Sequence, residues 1–181
     1  MTLADFNFRG KYARYVKFLT EDLKPEGGGS KFSIFPRMID VYTMGALMGY
    51  LHNKTGSYDS GEESEGDKDL VATIKENTFL KDQARFKLLC QMVLLNENIR
   101  GLSVQKRINN AFKDDTTDKK TSEENMEIIN SYVLGGITYL YNKFEKVRTK
   151  EDVAMKMHDM IEDFIVDRNI SFDLPNGSEY E

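Results

Sequence analysis

A chain of 181 residues, 40% hydrophobic and 30% charged, has enough apolar side chains for one buried core and too few for two independent ones. Its single cysteine, Cys90, excludes an internal disulfide and a cysteine-built zinc site, and a net charge of −5 argues against wholesale coating of nucleic acid. No stretch supplies the about 18 uncharged apolar residues of a membrane span, and the N-terminus lacks a secretion signal, so a cytoplasmic protein without membrane contact is expected.

Between Phe8 and Leu23, residues Tyr12, Tyr15, Val16 and Leu19 recur at helical spacing, and this predicts a first helix ended by Pro25 and the glycines that follow. Lys31 to Phe35 reads as an extended lead-in, with Ser33 as a capping side chain and Pro36 in the first turn of a helix reaching Asn53. Apolar residues cover nearly the whole circumference of that helix, from Met38 through Ile39, Val41 and Tyr42 to Leu51, which places it at the centre. Gly45 and Gly49 lie within it, as Gly135 and Gly136 lie within the apolar run Tyr132 to Tyr141. A glycine inside a helix costs about 1 kcal/mol relative to alanine, so these positions mark close approach of another backbone.

Residues 55–69 hold three glycines, three serines and six acids, a composition that predicts a mobile, solvated acidic loop. Leu70 to Leu80 suits either a short strand or a turn and a half of helix. Asp82 can cap a helix running to Asn96 with Phe86, Leu89, Cys90, Val93 and Leu94 inward, and Ser103 can cap a short helix through Phe112. After a polar loop at 113–120, Thr121 with Glu124 forms a capping box for a helix to Val147. Thr149 with Asp152 forms another for a last helix, on which Val153, Met157, Met160, Ile161 and Phe164 recur at helical spacing. The expected fold is mainly α: one compact domain over 1–171, a bundle of five to six helices with at most one short strand, and a frayed acidic tail at 172–181.

Chemical signatures are sparse. His52 and His158 are isolated, Gly27 to Ser30 lacks the lysine of a phosphate-binding loop, and the acids from Asp114 to Asp118 are followed by Lys119 where a calcium loop turns on glycine. No metal or small-molecule cofactor is expected. Charge, by contrast, is segregated. Lys81 to Lys113 carries seven bases against two acids, and Asp159 to Glu181 carries seven acids against one base. Arg85, Lys87, Arg100, Lys106 and Arg107 are therefore the candidate binding residues, for phosphates or for an acidic subunit. Solvated surface with internal ion pairs is the plain alternative.

Phe35-Pro36-Arg37, then Asp40-Val41-Tyr42 and Gly45-Ala46-Leu47-Met48-Gly49-Tyr50, an apolar helix at Phe86 to Leu95, and Tyr132 to Leu140 with its glycine pair follow one another in an order that resembles small accessory proteins encoded beside bacterial DNA phosphorothioation genes. The resemblance covers Phe32 to Phe144 and is strongest at Tyr132 and Gly135-Gly136. It implies a helical partner protein in a DNA-modification or phage-defence complex and offers no catalytic residue. The leading expectation is thus a non-enzymatic adaptor subunit that binds other proteins, and DNA through the basic segment. A direct DNA-binding or regulatory module, and an enzyme built on carboxylates the sequence does not group, are the rivals.

Overall fold

In the computed structural model, which describes residues 4–23, 31–59, 67–113 and 119–167, two helices cross at their glycines and the other elements are laid around that crossing. They are α2 (Met38–Leu51) and α6 (Lys119–Phe144). A side chain added at Gly136 would overlap the carbonyl oxygen of Gly45 and lie 2.6 Å from the amide nitrogen of Gly49. One at Gly49 would overlap the Tyr132 carbonyl, and one at Gly135 the Lys54 carbonyl. Backbone therefore rests on backbone, and the small residues are where the sequence places them. Around this contact Val41, Tyr42, Ile129, Val133, Ile137 and Leu140 are wholly buried, so the central position expected for α2 is the observed one.

The N-terminal segment departs from expectation. Helix α1 (Gly10–Thr20) starts later than Phe8, because Phe6–Arg9 is extended as β1 and pairs antiparallel with β2 (Val71–Ile74), Phe8 opposite Ala72. The stretch left open between strand and helix is both: β2, rich in β-branched residues, is followed directly by α3 (Glu76–Lys81). The chain turns from β1 into α1 at Gly10, whose φ of +55° suits glycine, and the Gly10 amide donates to the Leu70 carbonyl at 3.3 Å.

The acidic stretch does not behave as one solvated loop. Asp59 and Asp67 are buried. The Asp59 carboxylate accepts from the Lys11 amide at 3.0 Å, satisfying a free N–H in the first turn of α1, and Asp67 meets the Arg14 guanidinium at 3.2 Å. Residues 60–66 between them, residues 114–118 and the tail beyond Asp167 lie outside the described residues.

Helix starts divide in the same way. Ser103 caps α5 (Val104–Phe112), accepting from the Lys106 amide at 3.3 Å, and Thr149 and Asp152 exchange side-chain-to-amide hydrogen bonds of 3.0 Å each at the head of α7 (Lys150–Asp167). Ser33 is not the cap of α2: Arg37 holds that position, and its guanidinium grips Asp40 in the first turn through two bonds of 2.9 Å. Asp82 precedes α4 (Gln83–Asn96) but makes no capping bond, its carboxylate lying 3.2 Å from Arg37 instead. Thr121 and Glu124 stand inside α6, which begins by Lys119 and ends at Phe144 rather than Val147.

Among the described residues there are seven helices, one more than the expected upper count because of α3, and one two-stranded sheet. None of the described helices is long and apolar enough to cross a membrane.

Candidate partner-binding surface

Helix α4 buries Phe86, Leu89, Cys90, Val93 and Leu94, the five residues its pattern assigns to the core. Its C-terminal end is fixed to α6 by a polar knot. The Glu97 carboxylate is fully buried. It accepts from the Arg100 side chain at 2.9 Å and from the Arg100 amide at 3.2 Å, while a second Arg100 nitrogen donates to the Asn125 carbonyl oxygen at 2.9 Å. The following arginine of the segment, Arg107, donates to Asn98 at 3.2 Å. Burying a carboxylate without a partner costs several kcal/mol, so this pairing fixes the α4–α5 corner and with it the direction in which α5 projects.

The projection is unusual. Val104, Ile108, Ala111 and Phe112 share one side of α5 by helical spacing, yet only Ala111 is buried; Val104 is 63% exposed, Ile108 39% and Phe112 56%. An amphipathic helix in a monomer turns such a stripe inward. Here it faces out, with Leu88 of α4 exposed as well.

Of the five candidate bases, Arg85 and Arg100 are engaged within the protein. Arg100 is partly buried against Glu97. Arg85 belongs to a relay in which it and Arg37 both reach Asp40, at 3.2 and 2.9 Å, and Arg37 also reaches Asp82. These hydrogen bonds from Arg37, more than any other cause, hold the Asp40 carboxyl below the usual carboxylate range. Lys87 and Lys106 are exposed, and Arg107 is half-buried at the edge of the stripe. Composition showed the positive segment, but it could not show which bases are tied to acids, Arg100 to the buried Glu97 of the same segment and Arg85 to Asp40 on α2.

A second feature was not legible in sequence, because five elements build it. A pocket of about 260 Å³ opens over an aromatic floor of Phe6, Tyr42, Phe79 and Phe86, with Met126 and Asn130 on its α6 side. The four rings pack on one another edge to face or tilted, with centroids 5.0 to 6.1 Å apart where they touch Tyr42 or each other across α3 and α4. The Tyr42 hydroxyl donates to the Asn130 side-chain oxygen at 2.8 Å, and burial raises its pKa well above that of ordinary tyrosine.

The groups sequence inspection weighed for chemistry are placed structurally. Burial pushes the Cys90 thiol up to about 12, which makes it a poor nucleophile at neutral pH. His52 stacks on Tyr139 at 4.3 Å where α2 ends, and His158 lies 3.6 Å from Glu162 on α7. Among the described residues no group of three or more His, Cys, Asp or Glu is arranged to hold a metal ion. No protein-family model, curated protein or solved structure matches the chain.

Proposed function

We infer that the protein is a non-enzymatic adaptor subunit that docks on other protein surfaces through the outer face of α5, within a bacterial DNA-modification or defence assembly. One observation carries the docking part: a capped, strongly amphipathic helix is held by a buried ion pair so that Val104, Ile108 and Phe112 face solvent. Exposed apolar stripes of this kind mark association surfaces. The rigid corner beneath it lowers the entropic cost of binding, since the helix does not have to be ordered on contact. The assembly named rests on the resemblance of the glycine-bearing helices to phosphorothioation accessory proteins.

The test is co-purification of the full-length protein with the products of its neighbouring genes, comparing wild type with Phe112→Asp and Ile108→Asp. The reading expects complexes with wild type and none with either variant at unchanged melting temperature. Complexes that survive both substitutions would refute it.

Direct DNA binding is the weaker alternative, because Arg85 and Arg100 are committed to Asp40 and Glu97. It requires an affinity that falls steeply with salt and that Lys87→Glu with Lys106→Glu abolishes. Binding indifferent to salt would exclude phosphate recognition.

A further inference from the structure

Helix α7 is the other under-buried element. From Lys150 to Val166 none of its residues is fully buried. Its inner face, with Val153, Met157 and Met160, packs on the core, and Lys143 of α6 reaches Asp163 at 3.7 Å. Its outer face carries Met155, 66% exposed, and Val166, 76% exposed, three helical turns apart. Between and beside them by helical spacing lie Glu151, Asp159 and Glu162, all exposed. Across the whole helix six acids stand against Lys150 and Lys156.

The face of α5 is its counterpart in both respects. It is apolar along Val104, Ile108 and Phe112, and the segment Gly101 to Lys113 holds three bases and no acid. By helical spacing Arg107 lies beside the stripe, and Lys113 follows α5 as its C-terminal cap residue. Two α5 faces brought together would set like charges side by side, whereas α5 against α7 joins apolar to apolar and positive to negative.

We propose that the occupant of the α5 face is α7 of a second copy of this chain. The proposal rests on the reading of α5 as a docking face and names its partner. Because each copy carries both helices, the contact can be made twice between two molecules, closing a two-fold dimer in which every α5 is covered, or it can propagate as an open array. In either form Phe112 and Ile108 pack against Met155 and Val166, and Lys113 and Arg107 approach Glu162 and Asp159.

Sedimentation equilibrium of the full-length protein, from micromolar to submillimolar, tests this. Wild type should reach at least twice the 20.9 kDa chain mass and should dissociate as salt rises. Phe112→Asp should stay monomeric. Glu162→Lys, at an exposed position whose ion-pair neighbour is His158 on the same helix, should weaken self-association about tenfold or more, and Lys113→Glu added to it should recover much of the loss. A wild type that is monomeric throughout, or a Phe112→Asp protein that associates like wild type, overturns the proposal. If wild type is monomeric while Phe112→Asp still loses a neighbour-encoded partner, self-pairing is wrong and the docking face belongs to that partner. If Phe112→Asp changes neither property, the docking reading falls with it.

Discussion

The α2–α6 crossing and the α5–α7 periphery use side chains in opposite ways. At the crossing, bulk has been removed until carbonyls of one helix touch the other's backbone, and Val41, Tyr42, Ala46, Ile129, Val133 and Ile137 around the contact are buried. At the periphery, apolar residues of good helices are left in water beside segregated charge. Close packing of the first kind secures a unique fold, and it tolerates no added volume. Exposed stripes of the second kind contribute little to the stability of the isolated chain, so their retention calls for a partner.

If that contrast is right, substitutions should separate by region. The largest effect should come from Gly136→Ala: a single methyl group there meets the Gly45 carbonyl, and a loss of more than about 2 kcal/mol is expected in urea denaturation. A smaller version of the same test is Gly101→Ala, where the backbone φ is +60° but the space is open, and about 1 kcal/mol should be lost through conformation alone. Next comes the knot under α5. Glu97→Ala leaves Arg100 without its buried partner and should cost about 2 kcal/mol, while a wild-type-like stability would mean that the corner is not held this way.

Asp40 offers a pH-dependent probe. Its pKa is lowered in the folded state, so its contribution is complete above the unfolded carboxylate value near about 4 and is lost as pH falls through the folded value. Asp40→Asn should therefore destabilise by about 1 kcal/mol at pH 7, and the gap to wild type should narrow in acid. A gap that widens in acid would contradict the assigned pairing with Arg37 and Arg85. The smallest expected change is in Phe112→Ser, within about 0.5 kcal/mol of wild type for the dissociated protein, sharpening the contrast with Gly136.

Much of the crossing could be read from sequence, since a glycine among strong helix formers has few explanations besides contact and the apolar residues of α2 leave no wet side. The inward face of α4 was equally readable from its spacing. Other features depend on pairings distant in sequence. Strand β1 pairs with Val71–Ile74, distant in sequence, and the Phe6-Asn7-Phe8-Arg9 alternation is only four residues long beside a longer helical pattern. Asp59 and Asp67 look solvated by composition, yet they are drawn onto α1 by Lys11 and Arg14. Ile161, at helical spacing with inward residues, lies 60% exposed because α7 touches the bundle along a narrow strip. The start and extent of α5 were readable from Ser103, but its outward direction goes with the contacts among Glu97, Arg100 and Asn125, which no local pattern connects.

Amide hydrogen exchange measured over a range of protein concentration addresses the contrast directly. In dilute protein the amides of α2 and α6 should exchange slowest and those of α5 and α7 much faster, with α5 and α7 alone becoming more protected as concentration rises. Equal protection of all four helices, independent of concentration, would contradict the account.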